Sequence, residues 1–289
     1  MRVMVFPGQG SQKVGMGRAL ADHPEAKLVY DEVSEAINLD IRSLMWESDE
    51  ETLRQTENAQ VALFASSVAA LRASGEGDFS FAAGHSVGEY AALVSANVLD
   101  LASGARLVRT RGELMATAGE AHPGTMAAVL GLDPEQLEAV CNATDGVVVI
   151  ANYNCPGQYV ISGEIAAVKA AGESAVAAGA KRVLPLSVSG AFHSPLMAEP
   201  AAKMRVALDA ANFQKGDVPV VCNVEALPRQ DGWPEILERQ LKSPVRWTES
   251  VEWLISQGAT EFVEFGSGQV LGGLIKRISR EVSTAAVGD

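Results

Sequence analysis

Short apolar runs alternate with stretches of helical period along the chain, and the two rhythms divide it into three parts. Residues 3–6 form a first strand that stops at Pro7 and a glycine-rich loop. A mixed helical region follows, then a strand at 79–83, a turn at 84–88, an Ala/Leu-rich helix at 89–99 and a further helix from about 101 with Asp100 placed to cap it. The middle runs strand 125–132, helix 134–143, strand 147–152, strand 158–162, helix 165–178, strand 182–188. This β-α-β-β-α-β order predicts a ferredoxin-like unit. The return segment predicts a strand at 218–224, helices at 234–241 and 249–257, a strand at 261–265 and a last helix from 270. The expected architecture is α/β: a discontinuous large domain of residues 1–121 and 190–289, with a small ferredoxin-like domain inserted at 122–189. A cleft between the two is the expected place for a ligand.

Composition narrows the class. With 289 residues, 47% hydrophobic and 20% charged, the chain is an ordinary globular protein. A formal net charge of -13 argues against nucleic-acid binding, which requires a basic surface. Cys141, Cys155 and Cys222 are an odd set without CxxC spacing, so reduced thiols are expected, with no disulfide framework and no metal. No apolar run approaches the roughly 20 residues that span a bilayer, and the chain is expected to be soluble and cytoplasmic.

Gly84-His85-Ser86-Val87-Gly88 is a G-x-S-x-G pentapeptide between a predicted strand and a predicted helix. That context suits a nucleophile elbow on an α/β-hydrolase-like large domain: the glycines allow a tight turn that lifts the serine hydroxyl clear, and the helix start offers free N–H groups to an oxyanion. Ser86 then needs a base, and four histidines are available. His23 beside Asp22 and Pro24, and His122 before Pro123, read as surface residues, while His85 points away from its neighbour Ser86. His193, where the chain re-enters the large domain, remains. Arg111 lies in the apolar helical stripe of Leu107, Val108, Leu114, Met115 and Ala118. An arginine there demands an anion, either a permanent carboxylate partner or the carboxylate of a substrate. Gly8-Gln9-Gly10 fails the phosphate-loop patterns and reads as a plain turn or as a loop bringing a backbone N–H to an oxyanion.

Five blocks in order resemble the malonyl-CoA:acyl carrier protein transacylases: residues 6–12, 84–90, Arg111-Gly112, 191–197 and Pro244-Val245-Arg246-Trp247, joined by matching segments at 152–154 and 157–163. The resemblance implies a ping-pong cycle. Ser86, deprotonated by His193, takes the malonyl group from CoA as an ester and yields it to the phosphopantetheine thiol of acyl carrier protein, for fatty acid biosynthesis. It further implies an oxyanion hole of the Gln9 and Val87 N–H groups, Arg111 on the malonate carboxylate, the Arg246 backbone carbonyl orienting His193, and Phe192 excluding an α-methyl group. Arg246 and Ala116 depart from the glutamines common at those places. No cofactor is implied, and the enzyme is expected to be a monomer. Because the carrier is acidic, a basic patch is sought, and Lys181, Arg182, Lys276, Arg277 and Arg280 are its candidates unless they are simply solvated. A trans-acting malonyl transferase of a polyketide synthase carries the same motifs, and a serine hydrolase or thioesterase shares the elbow.

Overall fold

The structure, a computed structural model, describes residues 1–121 and 123–288. His122, expected at the surface, lies outside the described residues. In chain order the strands are Arg2–Phe6 (β1), Phe81–Gly84 (β2), Gly124–Leu130 (β3), Val148–Cys155 (β4), Gln158–Glu164 (β5), Arg182–Pro185 (β6), Val220–Val221 (β7), Pro228–Arg229 (β8), Glu261–Phe265 (β9) and Ser283–Val287 (β10). They form two sheets.

The larger sheet has the order β10-β9-β1-β2-β7-β8, parallel from β10 to β7 with β8 antiparallel at the edge. Its central strands are buried on both faces, as a parallel sheet with helices on either side requires. In β1 the alternation is visible: Met4 and Phe6 join the core beneath helices Thr56–Ser74 and Gly88–Ser95, while Val3 and Val5 join the opposite core with Trp247, Val251 and Leu271. Helix Thr56–Ser74 is enclosed because it lies between the sheet and helices Pro24–Ile37 and Leu101–Ala121. Small residues make the close approach possible. A Cβ on Gly112 would stand 2.7 Å from the Cα of Glu57.

The smaller sheet, β4-β5-β3-β6, is antiparallel throughout, and helices Pro134–Ala143 and Ile165–Ala177 cover it around Val129, Leu137, Ile161 and Ala171. That is the expected ferredoxin-like arrangement on an α/β-hydrolase-like body. Backbone bonds join the two sheets' neighbourhoods, with Tyr153 N donating to Val245 O at 3.0 Å and Val245 N to Ala151 O at 2.8 Å.

Two expected strands are shorter than their sequences suggest. The run 182–188 pairs with β3 only as far as Pro185; Leu186 N still donates to Met126 O at 3.0 Å, and residues 186–188 then turn to line a cavity. The run 218–224 pairs only at Val220–Val221, because Cys222 to Leu227 close a turn, with Cys222 N bonded to Leu227 O at 3.0 Å. The edge strand β10 was not expected; its side chains are largely exposed and give no apolar run.

Candidate active site

β2 delivers the chain into the turn at 84–88 and helix Gly88–Ser95 carries it away. Ser86 adopts φ 54°, a left-handed conformation that costs a non-glycine residue free energy. The flanking glycines are required by space: a Cβ on Gly84 would lie 2.0 Å from the carbonyl of Gly88, and one on Gly88 2.2 Å from Phe6 O. Asn223 clamps the turn, accepting from Ser86 N at 2.7 Å and donating to Gly84 O at 2.6 Å.

His193 also has positive φ, at 58°, and is 3% exposed. Its Nε2 is 2.7 Å from Ser86 Oγ. Its Nδ1 faces two carbonyls, Gln240 O at 2.8 Å and Ser243 O at 3.2 Å. Carbonyls only accept, so Nδ1 carries the proton and Nε2 is left as the acceptor for the serine hydroxyl. Burial, aided by the Arg111 charge, holds the imidazole neutral, with its pKa pushed down to about 3.

The orienting carbonyls correct an expectation. Arg246 O is engaged by its own helix, accepting from Ser250 N at 3.0 Å and Ser250 Oγ at 2.8 Å. The last turn of helix Trp233–Lys242 instead leaves carbonyls without intrahelical donors, Pro244 ends it, and the open end points at His193. His193 N is tied to the same end, donating to Leu241 O at 3.0 Å.

Arg111 is 1% exposed and its guanidinium is held by neutral groups. Nη1 donates to Gln60 Oε1 at 2.6 Å, and Nη2 donates both to Gln240 Oε1 at 2.9 Å and to Ser86 Oγ at 3.0 Å. The Tyr90 ring lies 5.8 Å from Cζ. Amide partners orient the fork without neutralising it, which leaves a desolvated positive charge beside the nucleophile.

These groups border a cavity of about 380 Å³. Gln9, Ser86 and His193 line it from the large sheet's side, and Met126, Asn152 and Leu186 from the small sheet's side. Phe192, 4% exposed, forms part of the wall, and Arg54 stands in the lining as a cation that the sequence had not singled out. His85 turns from Ser86 and binds Asn154 Oδ1 at 2.9 Å through Nε2. The residues brought together are thus Ser86, His193, Arg111, Gln9, Val87 and Phe192. None of the basic candidates lines the cavity, and Arg182 and Arg277 meet at one end of the small sheet: Arg182 is paired with Leu130, Leu130 with Gln158, and Arg277 Nη1 donates to Gln158 Oε1 at 2.7 Å. Lys181 covers Gly131, and Lys276 Nζ is bonded to Val282 O at 2.5 Å; with Arg280, all of these cations are exposed.

Sequence reasoning missed Gln60, Glu89, Asn223 and Gln240. The signal for Gln240 was present: it sits at the apolar positions of its helix, with Trp233, Ile236, Leu237 and Leu241, as Arg111 does in its own. Among the described residues no cluster of histidine, cysteine or carboxylate side chains could hold a metal, and no helix is long and apolar enough to cross a membrane.

A serine on a strand–turn–helix elbow with a neutral histidine on its hydroxyl is the equipment of an acyl-transferring enzyme, and residues 3–287 match the model of the acyl transferase domain family. Within that family the chain belongs to the malonyl CoA-acyl carrier protein transacylases. It is 46% identical to the Bacillus subtilis malonyl CoA-acyl carrier protein transacylase, over 99% of this chain and 92% of that protein. An acyl carrier protein S-malonyltransferase from Vibrio cholerae superposes with a TM-score of 0.96 at 42% identity, covering 100% of this chain and 97% of that one. A malonyl-transacylase solved with a type II polyketide acyl carrier protein gives a TM-score of 0.95 at 43% identity, covering 100% and 96%.

Proposed function

We propose that this enzyme moves a malonyl group from CoA to the phosphopantetheine thiol of an acyl carrier protein through an ester on Ser86, in fatty acid biosynthesis. The observation that carries the reading is the position of Ser86 Oγ between His193 Nε2 at 2.7 Å and Arg111 Nη2 at 3.0 Å.

In the first half-reaction Ser86 Oγ attacks the thioester carbonyl while its proton passes to His193 Nε2, and the imidazolium is supported by the Gln240 and Ser243 carbonyls. The N–H groups of Val87, at the mouth of the following helix, and of Gln9, on the opposite loop, meet the oxyanion. Collapse breaks the C–S bond, and His193 returns its proton to the departing CoA thiolate. The carrier's thiol then gives its proton to His193, attacks the ester and restores Ser86. Arg111 turns its fork to the free carboxylate of the malonyl group, a partner its amide neighbours do not supply. Phe192 narrows the space beside the α-carbon.

The enzyme in this reading needs no cofactor and works as a cytoplasmic monomer. Residues 1–121 and 190–289 form the catalytic unit and 122–189 the insert. The carrier approaches over Lys181, Arg182, Lys276, Arg277 and Arg280; reversing Lys276 and Arg277 to Glu raises the KM for the carrier, and an unchanged KM removes that face. The reading as a whole is tested by intact mass spectrometry after mixing with malonyl-CoA and then with holo acyl carrier protein. Wild type gains a malonyl adduct that moves to the carrier, and Ser86→Ala gains none. Free malonate without carrier product would make the enzyme a hydrolase instead. Transfer only to a polyketide carrier would reassign the pathway.

A further inference from the structure

Beneath the elbow lies a carboxylate that the reaction above does not use. Glu89 is fully buried in the first turn of helix Gly88–Ser95, facing Arg111, Tyr90 and Cys222. Burial raises its pKa to about 7 against the pull of its donors and of Arg111. Burying a carboxylate is costly, and among the described residues no cation is hydrogen-bonded to this one. Its bonds lead elsewhere. Oε2 accepts from Gln240 Nε2 at 2.5 Å, and both oxygens lie 3.4 Å from Asn223 N.

Those two residues hold the reacting groups. The Asn223 side chain binds Ser86 N and Gly84 O. The Gln240 amide nitrogen also reaches Ser86 O at 3.0 Å, its Oε1 receives Arg111, and its backbone carbonyl receives His193 Nδ1. Arg111 only donates and Ser86 O only accepts, so the Gln240 amide presents oxygen to Arg111 and NH2 to Ser86 and Glu89, and the carboxylate of Glu89 meets that NH2 as an acceptor. A donor in its place would face the Gln240 NH2 and the Asn223 N–H, and Arg111 and Ser86 O keep the amide from turning its oxygen to meet it.

We propose that Glu89 is a positioning residue whose carboxylate, through Gln240 and Asn223, fixes Ser86, His193 and Arg111 relative to one another. The proposal rests on the acyl-transfer reading for its substrate, but it can be tested without malonyl-CoA. A fluorophosphonate reports the reactivity of Ser86 toward a probe that has no second carboxylate for Arg111.

The variants are Glu89→Gln, which keeps the volume and adds a donor, and Glu89→Asp, which keeps an acceptor-only group but retracts it. In Glu89→Gln, fluorophosphonate labelling and the kcat of malonyl transfer each fall about 10- to 100-fold, in keeping with misplacement of about an ångström. The KM for malonyl-CoA changes less than about threefold, because Gln60 still orients Arg111. Glu89→Asp regains part of the labelling rate. A lowered melting temperature with undiminished labelling per folded molecule would make Glu89 merely structural and overturn the proposal. A rise in KM alone, with labelling intact, would overturn it too, placing the effect on Arg111. Should Glu89→Gln fail to fold, Glu89→Asp decides, since labelling equal to wild type contradicts positioning. Wild type that labels with the phosphonate but takes no malonyl group would end the transfer reading while leaving the comparison at Glu89 valid.

Discussion

Arg111 Nη2 stands 3.0 Å from Ser86 Oγ, on the same hydroxyl that His193 Nε2 approaches at 2.7 Å. One cation and one neutral base therefore share a single oxygen. The cation cannot serve as the base, and burial, aided by its charge, keeps the base unprotonated. In the proposed reaction its use is to recognise charge on the acyl group.

Arg111→Ala accordingly lowers kcat/KM for malonyl transfer by about 100-fold or more, while acetyl transfer is spared or improved, because only malonyl carries a second carboxylate. Parallel assays with the two CoA thioesters decide it. Equal loss with both would give Arg111 a general structural part.

Gln60 has no contact with Ser86 or His193 but fixes Arg111 Nη1 at 2.6 Å from the far side. Gln60→Leu, which keeps the size, removes that acceptor inside a buried site. Malonyl kcat/KM is expected to fall about 10-fold, the scale of one charge-assisted hydrogen bond, with acetyl transfer unchanged. The ratio of the two substrates is the measurement.

The buried titrating groups set opposite slopes in stability. His193, pushed from 6.5 down to about 3, refuses in the native state a proton that the unfolded chain accepts, so its contribution is intact above pH 6.5 and is lost as pH falls toward 3. Glu89, raised from 4.5 to about 7, holds its proton longer when folded, so it destabilises progressively as pH rises from 4.5 through 7. His193→Gln removes only the first slope. Its melting temperature relative to wild type should climb by at least about 3 °C between pH 7 and pH 4.5, as read by calorimetry across that window. A constant difference would mean that His193 is not held neutral.

Phe192 stands in the cavity wall, where in the proposed reaction it limits the space for branching at the α-carbon. Phe192→Ala should raise methylmalonyl relative to malonyl transfer by about 10- to 100-fold, the range that one methyl in a tight pocket supports. Competition between the two thioesters, resolved by mass on Ser86, measures it.

Periodicity located most of the strands because most are short buried runs, and the elbow was visible because glycine spacing expresses a steric need. Ser86 was legible from that spacing and His193 by elimination among four histidines, while Arg111 was legible because a charged residue is out of place on an apolar helix face. Gln240 obeyed the same rule, but an amide on an apolar face carries no charge to draw attention. Glu89 stood in view beside the elbow, yet nothing in the sequence says that it is buried. The orienting carbonyl was misassigned to Arg246 because every residue carries a carbonyl, and only the path of the chain determines which ones lack a donor. Asn223 illustrates the same limit, since its bonds to Ser86 and Gly84 span 137 and 139 residues.

The cavity draws its walls from both sheets, while Ser86, His193, Arg111, Gln240 and Asn223 all belong to segments outside the smaller one. The reacting groups are in this way carried by some stretches of chain, and part of the cavity wall by another. Changes in Met126, Asn152 or Leu186 can reshape what is admitted without touching the groups that react, so a lineage could acquire a new preference by altering residues 124–188 and inherit its chemistry intact.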